Sequence, residues 1–427
     1  MNKDEEIISD IVAHIQIEQQ NTHKEFKKVA EEMILEYIKK YNKQIILHGF
    51  YALQYLINNY NIDIKDNLIL PTEDNRYYQC YSMKGPKTVG DLIKNLNALH
   101  YQPVRSIVTH TRTGSAKCKI IIGRDPGLII IEITSVNFKE YNNIQKMTNK
   151  IDNLCIVNPL ILEIESLNNI LNNVGWDTNI SLLSVILNTK LNPFKDNYGK
   201  VELRGRSPQK IIDYLVKKWR NKIVFIGDYV FTNIYLRTYE PEGTFAIMTD
   251  IESAKKISEE LMNIGKSSWK LYYYGGTSDL IDNVYSIKDG KKILIRIHIS
   301  SQATIPYIIG RIGKYKNINI ANYLLLLRYY SSILLSHKMR STDNFIINRI
   351  IKIINSIIKI RNNYLLKNKL IGIEKESNIF RILDTSSIEL DSELVVHNKK
   401  LWEYKKRYGT EGYNQIKRLC QPLLEDL

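Results

Sequence analysis

The spacing of apolar residues divides this chain into short recurring elements. Ile7, Ile8, Ile11 and Val12, then Met33, Ile34 and Ile38, fall at helical intervals among charged residues and predict a helix over 3–42. "KQIILHG" (43–49) is an apolar run that stops at glycine and reads as a short buried strand. "FYALQYLINNY" (50–60) puts Ala52, Leu53, Tyr55 and Leu56 on a helix. After a polar connection, "RYYQCYS" (76–82) reads as a strand and "TVGDLIKNLNALHY" (88–101) as an amphipathic helix. "AKCKIIIG" (116–123) and "GLIIIEITSV" (127–136) are two strands rich in β-branched residues, joined by a turn at Asp125, Pro126 and Gly127.

The same order then returns. "NKIVFIG" (221–227) is a strand ending in glycine, "DYVFTNIYL" (228–236) a helix and "GTFAIMT" (243–249) a strand. "DIESAKKISEELMNIG" (250–265) is a helix with an acidic first turn and a glycine stop. "SWKLYYYGG" (268–276) and "KKILIRIHIS" (291–300) are strands, with room for another between them. Gly49 and Gly227 lie about 178 residues apart, too long a period for a solenoid; two copies of one α+β domain are expected. The chain therefore divides into an N-terminal helical segment (1–42), a first domain (43–205), a degenerate second copy (206–315) and a helical C-terminal region (316–427). In the last of these, "NFIINRIIKIINSIIKIRNNYLLKNKL" (344–370) carries an apolar stripe suited to a core or a subunit contact.

Charge adds a partner class. A formal net charge of +15 favours a polyanion, nucleic acid first. The basic clusters Lys217, Lys218 and Arg220, and Lys405, Lys406 and Arg407 beside Trp402 and Tyr404, are candidate RNA contacts, because phosphate binding needs cations and base stacking needs aromatic rings. "HTRTGSAKCK" (110–119) is a basic loop that either meets phosphate or is simply solvated. The four cysteines form no CxxC pair, which argues against a zinc site or a disulfide scaffold. The run "NYLLLLRYYSSILLSH" (322–337) is too short to span a bilayer and is broken by Arg328. These features predict an intracellular protein with no membrane partner.

A strand, a glycine turn, a helix and a second strand are also how nucleotidyl transfer is organised. The turn offers backbone N–H groups and a helix N-terminus to a triphosphate. Carboxylates at i and i+2 of the second strand, with a third from a neighbour, hold two divalent ions that activate the attacking hydroxyl and neutralise developing charge. Here the turn is His48, Gly49 and Phe50, the second strand offers Tyr77 and Gln79, and the neighbour offers Glu132.

This set resembles the poly(A) polymerase catalytic subunits of large nucleocytoplasmic DNA viruses, of the asfarvirus and mimivirus type and more distantly the poxvirus type. "IILHGFYALQYLI" stands where that family reads roughly "LILYGGIAIDYAL", "RYYQCYSM" where it reads "PDFDMFSP", and "LIIIEITS" where it reads "VWVADLS". The resemblance implies tandem nucleotidyltransferase-like domains, the second degenerate. It also implies a role in mRNA 3′-end polyadenylation, RNA as partner, a homodimer or a heterodimer with an active paralogue, and residence in the host cytoplasm at the viral factory or in the virion.

The departures point the other way on catalysis. Phe50 crowds the phosphate turn, and Tyr77 and Gln79 replace the metal aspartates. Glu132 alone remains, either with a residual metal role or paired to Lys117 or Lys119. In the second copy Gly227 is followed by Asp228, the metal strand carries Thr244 and Ala246, and His298 stands at the third position. His48 reads as a structural, hydrogen-bonded residue. The expectation is an inactive RNA-holding subunit with no cofactor. One alternative is an active enzyme that uses Glu73 or Asp74 with ATP and magnesium or manganese; another is a non-enzymatic structural or transcription-complex subunit.

Overall fold

The computed structural model describes residues 25–63, 71, 76–99, 103–110, 115–123, 127–172, 176–194, 209–232, 245–302, 304–312, 314–340, 344–367 and 386–389. Helix α1 (25–40) lies within the predicted 3–42 helix, whose first part is outside these residues. It leads to β1 (Ile45–His48), α2 (Gly49–Asn59), β2 (Tyr78–Ser82) and α3 (Gly85–Asn97). Then come β3 (Val104–His110), β4 (Ala116–Ile122), β5 (Leu128–Ser135), α4 (Phe138–Gln145), β6 (Thr148–Ile151) and β7 (Leu154–Val157). Helices α5 (Pro159–Leu171) and α6 (Trp176–Asn188) close the unit.

The second half repeats this order. It runs α7 (Gln209–Lys218), β8 (Val224–Ile226), α8 (Asp228–Val230), β9 (Ala246–Thr249), α9 (Ile251–Ile264), β10 (Trp269–Tyr274), β11 (Asn283–Asp289) and β12 (Lys292–Ile299). It continues with β13 (Thr304–Ile312), β14 (Tyr315–Ala321), α10 (Tyr323–Met339), α11 (Asn344–Lys367) and β15 (Ser386–Glu389). The two sheets have the same topology: β3-β4-β5-β2-β1-β7-β6 in the first, and β10-β11-β12-β9-β8-β14-β13 in the second, with β15 added at the edge. Parallel and antiparallel pairings also match, strand for strand. Both turns after the first strand place glycine at positive φ, +70° at Gly49 and +78° at Gly227, where a side chain is strained.

Three strands escape the alternation pattern. The predicted helix-strand order has no counterpart of β3, β6 or β7 in the first copy. In the second copy the sheet runs past the expected edge at 315, because β14 pairs in parallel with β8. Helices α10 and α11 then follow β14 as α5 and α6 follow β7, so part of the expected C-terminal helical region repeats the end of the first copy. Asn158 and Asn322 cap α5 and α10 in the same way, each side chain accepting from the backbone N–H three residues on.

Burial explains the continuous apolar runs. Along β8 and β9, Val224, Ile226, Ala246 and Met248 join the large core shared with α5, α6, α10 and α11, while Phe225 and Ile247 face α7 and α9. Strands buried on both faces lose the polar alternation of an exposed sheet. The apolar stripe of α11 is core: Ile353, Ile354 and Ile357 are buried. Among the described residues no helix is long and apolar enough to cross a membrane.

Candidate functional site

The first-copy site is a row of residues across four strands. His48 on β1 lies opposite Gln79 on β2, Gln79 opposite Glu132 on β5, and Glu132 opposite Lys119 on β4. Opposed residues share a sheet face, so the predicted positions do converge. Tyr77 stands two residues before Gln79; burial, with the Glu132 charge adding to it, pushes its phenol up to about 12.

The chemistry of this row is closed. A Cβ built on Gly49 would lie 1.9 Å from Gln79 Oε1, so the Gln79 carboxamide fills the space over the turn. Phe50 presents its ring to Arg76, whose guanidinium carbon lies 5.3 Å from the centroid. Glu132 is buried and faces Lys119 Nζ at 3.6 Å. Of the two lysines considered, Lys119 takes it; Lys117 turns to Asp279 of the second copy at 3.2 Å. Both lysines of the 110–119 segment are thus engaged with carboxylates, and residues 111–114 lie outside the described residues. His48 Nδ1 lies 2.9 Å from Glu165 Oε1 on α5, and Tyr81 donates to the same oxygen at 2.7 Å. Burial opposes ionisation of Glu165, but His48, Tyr81 and Lys117 outweigh it and hold its carboxyl below the ordinary value.

A two-metal centre does not fit this row. It needs several anionic oxygens on hard cations; here one position offers a neutral amide, another a phenol, and the carboxylate is already matched by an ammonium. Glu73 and Asp74 lie outside the described residues.

The second copy differs in its row and in one assignment. The strand register makes Ile226, Ala246 and Arg296 the counterparts of His48, Gln79 and Glu132. The row continues through Ser286 on β11 to Tyr272 on β10. Arg296, rather than His298, therefore occupies the third carboxylate position; His298 lies two residues on, opposite Met248. The sequence pattern suggested His298 because its strand ends like that of Glu132, but pairing to β9 shifts the match by two. Thr244 lies outside the described residues. The Gly227 turn is filled from above: its Cβ would meet Tyr329 Oη at 3.2 Å. Asp228 is buried, accepts from Tyr330 Oη at 2.7 Å and faces Arg349 at 3.2 Å.

A polar network joins the copies, and sequence reasoning missed it. Arg328 on α10 is fully buried and donates to Asp282, to Asn168 on α5 at 3.0 Å, to the Asp279 carbonyl at 3.2 Å and to Ser301 at 3.0 Å. Burial opposes the Asp282 charge, but Arg328 with His298 holds that carboxyl down at about 2. Glu163 on α5 accepts from Ser331 on α10 at 3.0 Å, and burial pushes it up to about 8. The available signal was a charged residue set inside each of two apolar helices, "PLILEIESLNNIL" and "YLLLLRYYSSILLSHKM".

Of the predicted RNA contacts, Lys217, Lys218 and Arg220 are exposed at the end of α7, and Lys218 is paired to Glu260. Trp402, Tyr404, Lys405, Lys406 and Arg407 lie outside the described residues.

No protein-family model and no curated protein matches the sequence. The fold does match a solved structure. The crystal structure of the Megavirus polyadenylate synthase is 16% identical, with a TM-score of 0.63 over 99% of this chain and 90% of that one. At that identity the likeness carries the architecture: this chain is a tandem pair of nucleotidyltransferase-like α+β domains of the kind found in a viral poly(A) polymerase.

Proposed function

We propose that the protein acts in mRNA 3′-end polyadenylation as an RNA-holding or dimerisation subunit that does not itself catalyse nucleotidyl transfer. The observation that carries this reading is the row His48, Gln79, Glu132 and Lys119. It keeps the sheet positions of a metal site and replaces its chemistry with an amide and a neutralised carboxylate. The positive charge of the chain supports RNA as the retained ligand. A subunit of this kind works beside an active paralogue, or as a homodimer, by keeping the transcript near a working site.

The test is primer extension. The purified protein is incubated with a short RNA, ATP and either magnesium or manganese, and Glu132→Ala serves as the control. The expected result is no extension, with the RNA nevertheless shifted on a native gel. Extension that disappears in the Glu132 variant would overturn the reading and assign catalysis to carboxylates outside the row. Absence of any RNA shift would remove the RNA-holding role and leave a structural one.

A further inference from the structure

The second copy carries a cavity that the first lacks. Its volume is about 230 Å³, and it lies between the open face of β10–β12 and the C-terminal half of α10. Lys288 and Arg296 enter it from the sheet and Arg340 from the end of α10. Among the described residues none of these three cations takes part in an ion pair. Asp282 is the one carboxylate in the lining, and its charge is already taken by Arg328. The cavity wall is therefore cationic.

Two further features narrow the ligand. His298 is buried in the wall, with Nδ1 turned toward Asp282 at 3.8 Å. The carboxylate favours the proton on that nitrogen, which leaves Nε2 as an acceptor. Nε2 has no hydrogen-bond partner among the described residues. A group that brings only anionic oxygens would leave it unmatched; an N–H or O–H of the ligand satisfies it. Tyr274 lines the same cavity, and Tyr272, exposed on the edge strand, stacks with it at 6.5 Å between centroids. Lys288 Nζ lies 4.7 Å from the Tyr272 centroid and donates to Tyr274 Oη at 2.8 Å, tying the ring pair to the cationic wall.

Anionic oxygens, a hydrogen-bond donor and a flat ring together describe a ribonucleotide. We infer that this cavity binds one nucleotide unit. Its phosphate is held by Arg296 and Arg340, its base lies against Tyr272 and Tyr274, and a ribose hydroxyl or exocyclic amine donates to His298. Arg296 stands in the row where a polymerase site carries its third metal carboxylate. A fixed guanidinium there meets phosphate directly, without a metal ion between them. The inference deepens the RNA-holding reading and rests on it for the choice of RNA over free nucleotide.

The test uses the full chain, a fluorescent twelve-residue oligo(A) RNA read by anisotropy, and ATP read by calorimetry. Lys288→Glu/Arg340→Glu alters the cavity rim. Lys255→Glu/Lys256→Glu, exposed on α9 across the sheet, applies the same charge change elsewhere. The expected result is a roughly tenfold loss of RNA affinity in the rim variant only. The slope of log affinity against log salt should fall by about 1.4, near 0.7 for each lost single-strand phosphate contact. Tyr272→Ala should weaken RNA binding with no change in that slope. Loss of ATP binding in the rim variant with RNA binding intact would support the cavity with free nucleotide as its ligand. Equal losses in the rim and α9 variants, or no loss of either ligand, would overturn the inference. Failure of the unaltered protein to bind RNA overturns the RNA-holding reading, and the ATP arm then decides the cavity by itself.

Discussion

The two copies share a backbone and lost the same chemistry in different ways. In the first, the row His48, Gln79, Glu132 and Lys119 is self-satisfied: amide in the turn, carboxylate on ammonium, imidazole on Glu165. In the second, the row Ile226, Ala246, Arg296, Ser286 and Tyr272 is short on one side and cationic on the other, and a cavity opens over it. A sheet keeps its register when its metal ligands change, because the register is set by apolar pairing and burial. What takes the vacated place then depends on neighbours. A long amide that reaches the turn closes the site; an alanine leaves room, and a guanidinium gives that room a charge.

The largest effect is expected at the junction of the copies. Arg328→Ala strands the buried Asp282 charge and should cost about 3–5 kcal/mol in chemical denaturation. Arg328→Met combined with Asp282→Leu should cost much less, since no charge is left unpaired. A single-variant loss below about 1 kcal/mol would mean that the network is not what holds the copies together.

Glu163 makes the same junction pH-sensitive. Its carboxyl has an ordinary value of 4.5 and a folded value of about 8, so between these limits the folded chain binds more protons than the unfolded one. Stability from this group falls as pH rises from about 5 to 8. Thermal melts should show that slope, and Glu163→Gln should flatten it while leaving the acid side little changed. An unaltered slope in the variant would assign the pH dependence to other groups.

The smallest effect compares the two glycine turns. Gly49→Ala and Gly227→Ala both place a side chain at positive φ, a strain of about 1–2 kcal/mol. Gly49→Ala must also displace the Gln79 carboxamide, whereas the Gly227 variant meets Tyr329 only at 3.2 Å. The first should therefore be the costlier in urea denaturation, and Gln79→Ala in the same chain should bring the two together. Equal costs before that relief would mean that Gln79 does not fill the turn.

Much of this was legible in the chain itself. The duplication, the strand-glycine-helix units and the loss of metal aspartates at Tyr77 and Gln79 follow from apolar periodicity and residue type, which are local properties. The strands β3, β6 and β7 were not legible, since short edge segments such as "TNKI" carry little apolar signal. Nor was the match of Arg296 to Glu132: both Arg296 and His298 point to one face of β12, and only pairing with β9 says which meets Ala246. The choice of Lys119 over Lys117 for Glu132 was likewise decided by the approach of Asp279 from the other copy, far along the chain. The sequence by itself determined which elements form and which ligands are missing, because each residue's polarity and branching act locally. Tertiary structure alone decided which groups fill the two vacated sites, because that depends on strand register and on buried charges meeting across the copies.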